Sequence, residues 1–268
     1  MTTTQTKPRG IVCKEPQVHA LLNGATQIRV PIKPQPTISP VVYEWKGQMR
    51  DFGIKGQEFA HDCAPFQPGD TLYVKETWAG LEFEYDWETG IPDGWHQANP
   101  EDVIKYFQFL RLGASLASGM FGQRFGFVYR AGFCGGEEVS KEERGFTWRS
   151  PIHMPYEAAR IVRRVTGVRV ERVQEVSEED AIKCGYTEAS FFENFESIVG
   201  YPYRQWKRMQ EEFVGEYVSE SEADPIDWAN WLYQSLYGNE SWERNDWVWV
   251  FDLTTDTTPL SDIDTLEG

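Results

Sequence analysis

The stretch from Gln67 to Trp78 constrains this chain more than any other. Pro68 and Gly69 carry turn chemistry, because proline presets the first corner of a turn and glycine tolerates the positive φ that follows. Beyond them Leu72, Val74 and Glu76 share one face at a period of two, and Thr71, Tyr73, Lys75 and Thr77 share the other. That is the pattern of a half-buried strand, and it points Glu76 inward. A carboxylate on the apolar side of a strand is costly unless it is paired, hydrogen-bonded or used. A structural ion pair or backbone donors account for it more readily than chemistry does; either way Glu76 requires a partner.

With 268 residues the chain can bury a substantial core. Eleven tryptophans within an aromatic content of 15% supply apolar area. The mean hydropathy of -0.53 and the lack of a long apolar run argue against a membrane span. The opening residues 1–9 have no apolar centre of the secretory kind, so they read as a flexible lead, and the expected location is the cytoplasm. Cys13, Cys63, Cys134 and Cys184 are too scattered for a zinc site, and the expectation is free thiols with neither metal nor cofactor.

The net charge of -16 disfavours non-specific binding to a phosphate backbone. Charge is uneven, however. Arg160, Arg163, Arg164, Arg169 and Arg172 crowd one segment, whereas no Lys or Arg falls between Arg208 and Arg244. A strand face whose arginines pair with the surplus acids is the plainer reading of that cluster, and a phosphate track is the alternative.

Gly10 to Cys13 reads as a short buried strand, and Glu15 to Leu22 as a helix with Pro16 in its first turn and Gly24 beyond its end. Ile28 to Ile32 reads as extended, with Pro31, Pro34 and Pro36 forcing edge or polyproline-like backbone, and a strand is expected near Val41 to Trp45. The run from Glu82 to Gly94 is polar and turn-rich, Pro100 to Leu112 weakly helical, Phe125 to Arg130 extended, and 132–144 a mobile connection. Pro151 and Pro155 bracket an extended segment carrying His153, a lone histidine with little functional weight by spacing alone. From Ala159 to Val173 a long strand slips phase at Thr166-Gly167, as at a bulge. Ser177 caps a helix, with Asp180 three residues on and Gly185 at its end. Helical stripes follow at Tyr203, Trp206, Met209, Phe213 and Tyr217, and at Trp228, Leu232 and Leu236. Trp247 to Leu253 is apolar on both faces and reads as a central strand, and 254–268 as a disordered acidic tail. Helices and non-local strands without βαβ regularity give an α+β class, and the bent strand favours a small barrel.

No nucleotide-binding glycine loop, serine elbow or zinc spacing is present. Several short motifs do occur in order: Ala20-Leu21-Leu22-Asn23-Gly24, Ile32-Lys33-Pro34-Gln35-Pro36, Gln67-Pro68-Gly69-Asp70 running to Glu76-Thr77-Trp78, and Trp148 with Ile152-His153-Met154-Pro155, Ala158 and Arg160. Thr166-Gly167-Val168-Arg169-Val170, Ser177-Glu178-Glu179-Asp180-Ala181, and Ser241-Trp242 with Trp247-Val248-Trp249-Val250 continue the series. Together they resemble the phage and prophage ASCH-domain proteins of the PUA-like superfamily. The resemblance covers residues 10–253, with insertions near 80–125 and 186–227.

That resemblance implies a small PUA-like β-barrel with flanking helices and a cleft for RNA, DNA or a modified nucleoside. Some relatives hydrolyse acetylated cytidine with a lysine, a threonine and a glutamate, and others cut RNA. The lysine and threonine lie in a Gly-x-Lys-x-x-Thr stretch, which here reads Gly24-Ala25-Thr26-Gln27-Ile28-Arg29. The lysine has gone, Ile28 holds the threonine position, and isoleucine has no hydroxyl to activate. Glu76 remains as the only carry-over acid or base. The expectation is therefore binding of a nucleic acid or modified nucleoside. Arg29 and Arg160 would meet phosphate or base edges, Trp78 would stack, and His153 would shape the wall. Any catalysis would be hydrolysis of a modified nucleoside or RNA. The alternative is an acidic phage protein acting by protein contact, in particle assembly or by mimicking nucleic acid toward a host protein.

Overall fold

A computed structural model describes residues 7–38, 42–45, 48–51, 57–85, 92–99, 101, 125–131, 146–199 and 224–255. In chain order the strands are β1 (Arg9–Val12), β2 (Gln27–Pro31), β3 (Thr37–Ile38), β4 (Val42–Trp45), β5 (Gln48–Asp51), β6 (Thr71–Lys75), β7 (Trp78–Tyr85), β8 (Pro92–Gln97), β9 (Phe125–Tyr129), β10 (Val162–Arg172) and β11 (Trp247–Leu253). The helices are α1 (Glu15–Leu22), α2 (Gln57–Cys63), α3 (Glu178–Lys183), α4 (Glu188–Glu193), α5 (Phe195–Val199), α6 (Pro225–Tyr237) and α7 (Asn239–Glu243). The fold is mixed α+β, and its main sheet has five strands in the order β1-β6-β10-β11-β2. The chain divides into two compact units, one drawing on residues up to 19 and on 71–163, the other on 20–70 and 164–255.

In the first unit β1 runs parallel to β6, with Gly10 beside Tyr73 and Val12 beside Lys75. β1 is exposed rather than buried as its sequence suggests, because it ends its sheet. Leu72 and Val74 are fully buried, and Val74 donates its amide to Ile161 O. β7 is the centre of a second sheet in the order β8-β7-β9. The polar, turn-rich run from Glu82 thus supplies a hairpin, with Leu81 beside Gln97 and Glu84 beside Gly94 in register. Residues Pro151–His153 form a 3-10 turn rather than extended chain, closed by Met154 N donating to Pro151 O. The proline at the turn's first position has no N–H to lose there.

In the second unit β11 lies between β10 and β2, both antiparallel to it. Register changes on β10 between Val165 and Gly167, where the sequence pattern slips phase. One sheet face packs Trp249 on Phe59 of α2, with ring centroids 5.1 Å apart, and Phe251 on Phe66. Val248 and Val250 on the opposite face pack with Val173 and Tyr233 of α6. Beyond them α3, α4, α5 and α6 enclose a second core of Ala181, Phe191, Phe195, Trp228 and Leu232. The Gln67–Asp70 turn closes as its sequence dictates: Gly69 has φ of 96° and Asp70 N donates to Gln67 O.

The helix at Tyr203–Tyr217, most of the weak helix at 100–112, the connection 132–144, the lead 1–6 and the tail from 256 lie outside the described residues. Among the described residues no helix is long and apolar enough to cross a membrane.

Candidate functional site

Glu76 follows directly on β6 and is 2% exposed. Its backbone N–H meets the sulfur of Met154, the residue that closes the Pro151–His153 turn. Its carboxylate is gripped by Arg160 through two parallel bonds, Nε to Oε1 at 2.9 Å and Nη2 to Oε2 at 2.8 Å. Bidentate, charge-assisted geometry of this kind is the strong form of the arginine–carboxylate contact. Arg160 is anchored again by Nη2 donating to Ala131 O, and its guanidinium lies 4.3 Å from the centre of the Tyr129 ring. Tyr129 is itself fixed by its hydroxyl donating to Ala158 O. Burial, and then the nearby Glu76 charge, push the Tyr129 phenol well above its ordinary pKa, with Arg160 pulling the other way. The Cys13 thiol is pushed up to about 12, by burial first and Glu76 second, so it is inert as a nucleophile at neutral pH.

Glu76 and Arg160 are therefore brought together. The Arg160 side chain is 28% exposed, and its Nη1 makes no hydrogen bond to any described residue. Trp78, two residues beyond Glu76, is 1% exposed. Phe127 meets it edge-on at 5.7 Å and Arg149 lies 5.9 Å from its ring centre, so the indole packs as core and shows no open face to a base. His153 is exposed in its turn.

Arg29 belongs to the second unit, on β2, and sits in a network that sequence reading missed. Register places Arg29, Val250 and Arg169 in one row across β2, β11 and β10, and Gln27, Asp252 and Gly167 in the next. Directly opposed residues share a face, so these polar side chains converge on one side of the sheet. Ser177 caps α3 over that side, accepting from Asp180 N at 3.2 Å, and this aims the Asp180 carboxylate into the cluster. Asp180 accepts from Arg29 Nη2 at 3.0 Å, Arg169 Nη2 at 2.7 Å and Gln27 Nε2 at 2.9 Å. Arg29 also donates to Glu171 at 2.6 Å, and Arg169 to both Glu171 and Asp252. Burial alone would raise the Asp180 pKa; the Gln27 hydrogen bond and the two arginines outweigh it and hold the group at about 2. Gly167 gives Asp252 its room, since a Cβ there would lie 3.0 Å from Asp252 Oδ2. Within this network Arg29 is 7% exposed and acts as a cross-link between strands and helix.

The pairing reading of the arginine cluster thus holds for Arg160 and Arg169, and Arg172 donates to Asn245 O while lying 4.1 Å from the Trp247 ring centre. Among the described residues no group of three or more His, Cys, Asp or Glu side chains is placed to hold a metal ion. Comparison of the chain with protein-family models, with curated proteins and with solved structures found no match in any of the three.

Proposed function

We propose that the chain is a PUA-like, ASCH-type protein that binds a nucleic acid or modified nucleoside at the Glu76–Arg160 site and does not hydrolyse acetylcytidine. The observation that carries this reading is the clamp on Arg160. Two bonds to a buried carboxylate and one to Ala131 O hold the guanidinium over Tyr129. A guanidinium fixed in this way loses little side-chain entropy when a ligand arrives. Its plane offers a base something to stack on, and Nη1 offers a donor to a phosphate or carbonyl oxygen. The stacking role expected of Trp78 thereby passes to Arg160 and the ring beneath it.

The same clamp argues against turnover. Both Glu76 oxygens accept from Arg160 and the residue is 2% exposed, so its remaining lone pairs are shut off from a substrate proton until the site opens. Ile28 and the missing lysine remove the remaining groups of the hydrolytic scheme. In the barrel reading, the end of β6 and the approach to β10 would form the wall beside which Glu76 and Arg160 lie.

A thermal-shift screen of free nucleosides, modified nucleosides and short single strands, run with an acetylcytidine hydrolysis assay, tests this. Stabilisation by at least one of these ligands without acetate release is expected. Turnover at an ordinary enzymatic rate that Glu76→Gln abolishes would overturn it.

A further inference from the structure

Trp78 begins β7 and has a neighbour on either side. Tyr129 of β9 pairs with it in register, and Arg149 bridges it from the other side, donating its N–H to Trp78 O at 2.8 Å and accepting from Trp78 N at 3.4 Å. Directly opposed residues of antiparallel strands point to one face. Arg149, Trp78 and Tyr129 therefore form one row. The packing agrees: Trp78 and Tyr129 share a core with Met154, whereas Trp148, next to Arg149 in the chain, packs with Ala79 and Leu81. Arg160 stands over the Tyr129 ring at 4.3 Å, and Arg149 over the Trp78 ring at 5.9 Å. Neighbouring strands lie about 4.8 Å apart, so the two guanidiniums cover adjacent rings of a single row.

The two arginines differ in what they hold. Arg160 is engaged by Glu76 and Ala131 O. Arg149 is half-buried and, among the described residues, its side chain meets neither a carboxylate nor any other hydrogen-bond acceptor. The chain has 42 acidic residues against 26 basic ones, and Arg29, Arg130, Arg160, Arg169 and Arg244 each pair with a carboxylate. Against that surplus of acids an uncommitted arginine stands out. Its Nε is buried without a partner, and so is Nε1 of Trp78, which is 1% exposed. A buried N–H without an acceptor carries an uncompensated desolvation cost. Two such donors in one row call for an acceptor, and the positive charge beside them calls for an anionic one.

We infer that Arg149 is the phosphate contact of the Glu76–Arg160 site: the ligand is a phosphate-bearing strand whose base stacks on Arg160 while the adjoining phosphate is held by Arg149 and the Trp78 indole N–H. The inference rests on the nucleic-acid reading of that site and narrows it from a nucleoside to a nucleotide chain. Arg149 has a freedom that Arg160 lacks. Its fork, tied to no acceptor, turns to present two N–H groups to two phosphate oxygens, the bidentate geometry that arginine favours. That turn uncovers the indole N–H for the same group. Phosphate contacts position a strand and base contacts discriminate, so the row divides the two tasks between its two arginines.

The test is anisotropy of a fluorescein-labelled single-stranded pentamer carrying all four bases, and of the same pentamer with methylphosphonate linkages, which keep the bases and remove the charge. The wild type is expected to bind the phosphodiester strand about tenfold more tightly than the neutral one. Arg149→Gln should weaken the phosphodiester strand about tenfold and leave the neutral strand unchanged. It should also lower the slope of log affinity against log salt by about 0.7, as for one phosphate contact on a single strand. Arg149→Lys keeps the charge and should keep the slope, and Arg160→Lys should weaken both strands alike. Because the Arg149 side chain holds no acceptor, Arg149→Gln should not lower the melting temperature. If Arg160→Lys weakens both strands while Arg149→Gln weakens neither, or weakens both equally, the reading of the site stands and the inference falls. A lowered melting temperature with an unchanged salt slope would make Arg149 a packing residue and overturn it. Inorganic phosphate bound by calorimetry in an Arg149-dependent way, with no strand bound, would make this a free-anion site and overturn it too. If the wild type binds neither strand, the reading of the site falls and the inference with it.

Discussion

Glu76 in the first unit and Asp180 in the second are both buried carboxylates held by arginine, and they are held in opposite ways. Asp180 is enclosed: Arg29, Arg169 and Gln27 converge on it, and Glu171 and Asp252 take further donors of the same arginines. Among the described residues Glu76 has a single arginine, and that arginine's side chain is 28% exposed where that of Arg29 is 7%. A network whose carboxylates and arginines bond mainly to one another fixes register between strands. A lone clamp on a partly exposed guanidinium leaves that group within reach of solvent, as the proposed ligand role requires. Residue type alone would have treated the two alike.

Breaking the enclosed network should have the largest effect. Asp180→Ala takes from Arg29 and Arg169 one of the two carboxylates they share, and leaves the buried Arg29 with Glu171 as its carboxylate among the described residues, at a cost of roughly 3–5 kcal/mol. Urea denaturation reads it, and a loss under about 1 kcal/mol would show that the network relaxes onto Glu171 and Asp252.

Next in size is Arg160→Ala, which strips a 2% exposed carboxylate of its partner. Because Arg160 is partly exposed and solvent can follow it out, roughly 1–3 kcal/mol is expected by the same measurement. A cost matching that of Asp180→Ala would erase the distinction between the two sites.

Acid sharpens the comparison further. The folded pKa of Asp180 is depressed to about 2, so its contribution is complete above the ordinary carboxylate range and is lost as pH falls from about 4 toward 2. Stability measured across that window should drop in the wild type and drop less steeply in Asp180→Asn. Parallel slopes would mean that Asp180 titrates normally.

The smallest effect belongs to the cap that aims Asp180. Ser177→Ala removes the bond to Asp180 N and should cost about 1 kcal/mol. Ser177→Asp, which keeps an acceptor at the cap, should restore most of it.

How much of this could be read beforehand depended on distance along the chain. The α1 helix with Pro16 and Gly24, the Pro68–Gly69 turn, the Ser177 cap, the slip at Thr166-Gly167 and the central character of β11 are local patterns, and each reappears in the structure. The inward direction of Glu76 and its need for a partner were likewise legible from period two, while the choice between an ion pair and backbone donors was not. The β7–β8 hairpin was obscured by glutamates on alternate residues, and the turn at Pro151–His153 by its two prolines. The Asp180 network was out of reach. Its bonds span 142 residues between Arg29 and Glu171 and 225 between Gln27 and Asp252, and they exist only once β2, β11 and β10 are in register. By sequence Asp180 is the third residue of a capping-box-like start, and its amide does donate to Ser177, but its side chain turns into the network. The signal that could have pointed further was Gln27, Arg29, Arg169 and Glu171 at alternate positions of two strands, a run of polar side chains on faces that otherwise read as buried.

The most direct test of the central claim, that Arg160 rather than Arg29 serves an external ligand, is an anisotropy titration of a labelled short single strand at two salt concentrations with wild type, Arg160→Lys and Arg29→Lys. Lysine keeps the charge and loses the bidentate fork and the stacking plane. A strongly acidic protein has no general phosphate field to rely on, so wild-type binding should be modest with a shallow salt slope. Arg160→Lys should weaken it about tenfold, in line with one base stack of roughly 1–3 kcal/mol. Arg29→Lys should lower the melting temperature while leaving affinity intact below it. Binding that survives Arg160→Lys unchanged, or a wild type that binds no single strand or nucleoside at low salt, would contradict the account.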